Sequence, residues 1–122
     1  MSMFARLQAA LEKAWSAETS SQWRPANPAR GQCSVTALVV EDIMGGEIAK
    51  TDVDGAWHFY NLVDGKRLDF TQSQFREPPL YSDILSNRED AFTDTSLSQY
   101  RILRTGVLRE MGRSIGPHNF LS

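Results

Sequence analysis

Hydrophobic positions along the chain change their period more than once. Phe4, Leu7, Ala10, Leu11 and Ala14 recur three or four residues apart behind Ser2, which predicts an amphipathic helix over residues 3–15 capped by that serine. From Ser16 to Gly31 the pattern vanishes, and Ser, Thr and Asn mix with Arg24-Pro25 and Asn27-Pro28. This is a loop of about 15 residues, a length more often functional than idle in a compact domain.

Cys33 to Ile43 is apolar on more than one side and ends at Met44-Gly45-Gly46. Its β-branched residues favour a buried strand, whereas its length and the terminal glycines favour a buried helix with a glycine C-cap. We read it as a helix. The period then falls to two: Glu47–Val53 is a strand, Asp54-Gly55 a turn, Trp57–Val63 an aromatic strand, Asp64-Gly65 a second turn and Lys66–Phe70 a third strand. Thr71-Gln72-Ser73-Gln74 has the Thr-x-x-Gln form of a capping box and starts a helical turn carrying Phe75. Glu77–Asn87 reads as loop around Pro78-Pro79. Leu97–Met111 reads as the last helix, entered through Thr95 or Ser96 and closed by Gly112, with a loosely held tail at Gly116-Pro117. Helices around an antiparallel meander make the fold class α+β.

Composition narrows the class. The 122 residues suit one domain over 1–122 with a single core, and 41% hydrophobic against 23% charged residues is the balance of a globular protein. A net charge of -2 offers no basic field for a phosphate backbone, so nucleic acid is not an expected partner. The longest apolar stretch, Val35–Val40 with Thr36 inside it, is far short of the roughly 20 residues that span a bilayer, so no membrane partner is expected. The N-terminus lacks the form of a signal peptide, and with one cysteine no internal disulfide exists; cytoplasmic localisation is the default. One cysteine and two histidines make a zinc site improbable, and we expect no cofactor. Gly45-Gly46 follows its helix and lacks the Gly-Lys-Ser/Thr ending of a phosphate loop. Arg101, Arg104, Arg109 and Arg113 read as a solvated face, and Trp15 and Trp23 as core packing in preference to a substrate platform.

Three side chains carry candidate chemistry. Cys33 stands at the start of a helix, where dipole and free N–H groups favour a thiolate, and an activated thiol there would ionise below the free value of about 8.5. A thiol nucleophile needs a base, and the base needs a third group to fix its tautomer; His58 and Asp69 are the candidates. If Asp64-Gly65 is a two-residue turn, Val63 faces Lys66 and Tyr60 faces Asp69, leaving His58 and Asp69 as diagonal neighbours on one face. A loop one residue longer separates them. Each residue also has a plain reading: a small buried hydrophobe, a satisfied core histidine and a turn aspartate.

Gly31-Gln32-Cys33, Ala37, Gly45-Gly46, His58-Phe59-Tyr60-Asn61, Gly65 and Leu68-Asp69-Phe70-Thr71 resemble the signatures of transglutaminase-like, papain-superfamily proteins in that order. More closely, Trp23, Asn27-Pro28-Ala29-Arg30-Gly31-Gln32-Cys33, Thr36–Val40 and Gly45–Ile48 resemble the YunG-like family of small bacterial proteins, a likeness running from about Trp15 to Phe75. The wider resemblance implies a papain-like or transglutaminase-like core, its nucleophile helix packed on an antiparallel sheet with N- and C-terminal helices. It also implies Cys33 as nucleophile, His58 as general base and acid, and Asp69 as orienting group. The implied oxyanion hole joins the Cys33 N–H to one polar side chain; Asn27 holds the expected position, with Gln32 and Gln22 as rivals and Trp23 at the loop edge. The implied activity is thiol-dependent acyl transfer, or hydrolysis of an amide or ester, on a peptide or small acyl substrate. The alternatives are a binding or scaffold module of the same fold and a structural protein with Cys33 buried.

Overall fold

The structure is a computed structural model that describes residues 2–115; the tail at Gly116-Pro117 and His118 lie outside the described residues. Helix α1 (Met3–Ala14) starts as its sequence requires, with Ser2 Oγ accepting the Ala5 N–H at 3.1 Å. Helix α2 (Cys33–Met44) stops at Gly45, which takes φ 73° and donates its N–H to Glu41. Strands β1 (Glu47–Val53), β2 (Ala56–Val63), β3 (Lys66–Leu68) and β4 (Ile84–Ser86) form an antiparallel sheet in the order β3-β2-β1-β4. Helices α3 (Arg88–Ala91) and α4 (Leu97–Ile115) complete the described elements.

The double-sided apolar pattern of α2 follows from its place at the centre. Val35, Val39 and Val40 pack with Leu7 and Leu11 of α1 and Leu103 and Val107 of α4. Cys33, Ala37 and Leu38 pack instead with Ile48 and Phe59 of the sheet. Every residue from Cys33 to Val40 is buried, so no polar stripe is left to disclose the period. Trp15 is core, as read from the sequence: it is 4% exposed, and its indole N–H donates to Thr36 Oγ1 at 2.9 Å, tying the end of α1 to α2.

Both Asp-Gly pairs are two-residue turns with φ positive at each position: Asp54 53° and Gly55 89°, Asp64 52° and Gly65 75°. Val53 therefore pairs with Ala56, and Val63 with Lys66. The sequence reading departs from the structure in four places. Strand β3 ends at Leu68, because Asp69 and Thr71 turn their polar groups toward each other. Within the presumed loop 77–87, Ile84–Ser86 adds strand β4 against Ile48–Lys50. Thr71 does not cap its turn; Gln74 Nε2 donates to Thr71 Oγ1, and the reciprocal box forms at Ser96 and Gln99. Finally, α4 runs through Gly112 to Ile115.

Gly46 makes the closest approach in the connection from α2 to the sheet. A Cβ there would stand 2.3 Å from the Leu62 carbonyl oxygen, on a backbone at φ 77°. At Gly65, with φ 75°, nothing lies within 4 Å of a Cβ. Gly46→Ala is expected to destabilise by about 3 kcal/mol or more and Gly65→Ala by about 1–2 kcal/mol, the backbone strain alone. Urea denaturation of both variants measures the difference.

Candidate active site

Pairing in the β2–β3 hairpin runs Val63 with Lys66, Leu62 with Arg67 and Asn61 with Leu68. One further step brings Asp69 beside Tyr60 and diagonal to His58. His58 Nε2 lies 2.7 Å from Asp69 Oδ2, with the two side chains 2% and 4% exposed. The expected meeting of these residues therefore occurs. The carboxylate takes three more bonds: Tyr81 Oη donates to Oδ2 at 2.8 Å, and the Thr71 N–H and hydroxyl donate to Oδ1 at 3.2 and 3.3 Å. An ionised carboxylate can only accept, so Nε2 carries a proton and the neutral imidazole has its lone pair on Nδ1. Nδ1 is buried and has no hydrogen-bond partner among the described residues. Phe75 meets the ring edge-on at 4.8 Å, and Tyr60 stacks at 5.9 Å.

Cys33 opens α2 and is 8% exposed. The backbone N–H groups of Phe59 and Ser34 address its sulfur and favour the thiolate. Burial opposes them and prevails, with further opposition from the charges of Asp94 and Asp69, so the thiol is pushed up to about 11. This corrects the expectation of an acidic thiol. A helix N-terminus contributes a partial charge, whereas removing the sulfur from water penalises the whole one. Along β2, Phe59 and Asn61 face α2, so His58 and Tyr60 project to the opposite side. The thiol meets β2 at the peptide joining His58 to Phe59, and it makes no hydrogen bond with the imidazole.

The long loop is stitched to this region by polar contacts. Gln32 is fully buried, accepting from Thr19 Oγ1 at 2.8 Å and donating to the Ser16 carbonyl at 3.4 Å. Asn27 Nδ2 donates to the Gln74 carbonyl at 3.2 Å, and Gln22 packs beside Gly31. Trp23 differs from these: its indole N–H is buried and has no partner. Gln74 accepts from the Gly31 N–H at 3.4 Å and donates to Thr71 Oγ1 at 3.1 Å, connecting the loop before Cys33 to the threonine that holds Asp69. Sequence reasoning missed Gln74 and Tyr81 as parts of the site. Gln74 passed for a capping residue, and Tyr81 lies in an aperiodic segment that shows no destination.

A groove of about 510 Å³, lined by Phe4, Gln8, Asp69, Phe70, Phe75 and Arg76 among others, opens beside the histidine–aspartate pair. Among the described residues, no group of three His, Cys, Asp or Glu side chains is placed to hold a metal ion, and no helix is long and apolar enough to cross a membrane.

The protein is thus of a small α+β class, its central helix beginning at a buried thiol next to a strand that presents a carboxylate-held imidazole. Within that class the chain belongs to the YunG protein family, whose profile matches residues 3–112. It is 50% identical over 101 residues to a protein of Bacillus subtilis (strain 168) described as "Uncharacterized protein YunG", covering 83% of this chain and 88% of that one. No solved structure matches.

The shifted thiol makes stability depend on pH. Below about pH 9 the thiol is neutral in both folded and unfolded chains; above it the unfolded thiol ionises while the folded one stays protonated until about pH 11. Stability is therefore lost as pH rises through this window, by up to about 3 kcal/mol. Cys33→Ala should show correspondingly less loss between pH 8.5 and 11 in parallel urea titrations, since the tyrosines are common to both proteins.

Proposed function

We propose that the protein performs thiol-dependent acyl transfer, or hydrolysis of an amide or ester, on a papain-like or transglutaminase-like core. The observation that carries this reading is the buried His58–Asp69 contact, which holds one ring nitrogen and leaves Nδ1 without a partner. A core histidine kept only for packing would leave no buried nitrogen unsatisfied, whereas a base needs a free lone pair. In the proposed reaction, which requires Cys33 and His58 to be brought together across β2 on substrate binding, the Cys33 S–H proton passes to Nδ1 as sulfur attacks the substrate carbonyl carbon. Asp69 stabilises the imidazolium. The imidazolium then gives its proton to the leaving amine or alcohol as the carbon–heteroatom bond breaks. Water or an acceptor amine then gives its proton to Nδ1 and attacks the thioester carbonyl carbon; the carbon–sulfur bond breaks, and the imidazolium returns the proton to sulfur to regenerate the thiol.

A thiol raised to about 11 is almost wholly protonated at neutral pH, so it must lose its proton in concert with attack. Its low exposure also requires the 8% opening at Cys33 to widen on substrate binding. For the negative oxygen that develops, the reading takes the Cys33 N–H at the start of α2 as donor, since Gln32 and Asn27 already serve the loop. The second reading, a binding or scaffold module without turnover, draws on that same burial and on the lack of a thiol–imidazole hydrogen bond.

Treatment with a small acylating or alkylating probe near neutral pH separates these readings. The catalytic one predicts covalent labelling of Cys33 in the native protein and a rate roughly a hundredfold lower in His58→Ala, the low end of general-base contributions. Labelling only on denaturation, or equal rates in both proteins, contradicts it.

A further inference from the structure

We infer that Tyr81 is a positioning residue that sets the basicity of the free imidazole nitrogen by sharing the oxygen on which His58 leans. This inference rests on the proposed role of His58 as base. Asp69 Oδ2 accepts two hydrogen bonds, one from Nε2 of His58 at 2.7 Å and one from the Tyr81 hydroxyl at 2.8 Å. Negative charge on that oxygen is divided between them, so each bond weakens the other. The stronger the pull of Oδ2 on the Nε2 proton, the more electron-rich Nδ1 becomes and the better it accepts the thiol proton. Tyr81 thus moderates a base that Asp69 alone would make stronger.

The tyrosine is fixed from three directions. Its ring meets Tyr60 edge-on at 4.9 Å, and the Arg67 guanidinium lies over the ring at 4.4 Å. Arg67 is in turn held by Asp83 at 2.6 and 2.8 Å, and Asp83 also accepts from Tyr60 Oη at 2.8 Å. Two residues before Asp83, the backbone flanking Tyr81 is tied to the sheet through Thr51, whose hydroxyl donates to the Leu80 carbonyl and accepts the Ser82 N–H. Burial and the hydrogen bond to Asp69 both push the phenol's pKa up, so it stays protonated and remains a donor. The titratable and charged groups disposed about the imidazole are therefore Asp69 from the end of β3, Tyr60 on its own strand, and Tyr81 with Arg67 and Asp83 behind it.

Tyr81→Phe removes the hydroxyl and keeps the ring contacts. The test follows the His58 Nε2–H proton by NMR and the Cys33 alkylation rate in the same samples. The inference predicts a downfield move of the Nε2–H signal in Tyr81→Phe as its bond to Oδ2 strengthens. In an Asp69→Asn background, where no shared carboxylate exists, Tyr81→Phe should leave the imidazole signals unmoved. A tyrosine that serves packing alone predicts no downfield move in the native background; that result, or an equal move in the Asp69→Asn background, overturns the inference. Faster Cys33 alkylation in Tyr81→Phe joins the tuning to the proposed chemistry. A moved Nε2–H signal with an unchanged alkylation rate supports the tuning of His58 and counts against His58 as base for Cys33, so the two failures are told apart.

Discussion

The register of the β2–β3 hairpin is the constraint from which the candidate site is built. Asp64 and Gly65 both occupy the left-handed region, which closes the hairpin in two residues and commits Val63 to Lys66. Because side chains alternate strictly along a strand, that one turn decides that Asp69 arrives on the same side as His58. Everything further depends on the meeting. The carboxylate would be a costly buried charge without its four donors, and the imidazole would have no fixed tautomer without the carboxylate. Gln74 then carries the same order to the loop before Cys33 through Thr71 and Gly31.

The sheet separates two environments. On the α2 side, Cys33 sits with Ala37, Leu38, Ile48 and Phe59, and desolvation keeps its thiol neutral. On the other side, His58 lies among Tyr60, Phe75, Asp69 and, through Asp69, Tyr81, surroundings rich in oriented polar groups. The peptide between His58 and Phe59 is where the two sides adjoin, since its N–H addresses the sulfur. The thiol on one side is held protonated by burial, and the imidazole on the other has one ring nitrogen bound to a carboxylate and the other without a partner.

What was legible in the sequence was whatever local chemistry dictates. Two Asp-Gly pairs specified their turns and hence the His58–Asp69 diagonal, and Ser2 and Gly45 marked helix ends where they fell. Strand β4 and helix α3 were not legible: three and four residues are too few to display a period, and each is held by a distant partner, β1 and α2 respectively. The stretches Thr71-x-x-Gln74 and Ser96-x-x-Gln99 show the limit of local motifs. Ser96 and Gln99 form the reciprocal box, whereas Thr71 has its N–H drawn to Asp69 and adopts another arrangement. The state of the thiol was illegible for a related reason. Position at a helix start is a property of the sequence, but loss of solvent is a property of the packed fold, and here it is the larger effect.

Asp69 holds His58 as the tautomer protonated on Nε2, with Nδ1 bare. Nitrogen-15 NMR of the neutral ring measures this directly, because protonated and bare imidazole nitrogens resonate far apart. The expected result is a pyrrole-type Nε2 that scalar-couples to its proton and a pyridine-type Nδ1 that does not, with the distinction lost in Asp69→Ala. A proton found on Nδ1 in the native protein, with Nε2 bare against the carboxylate, would contradict it.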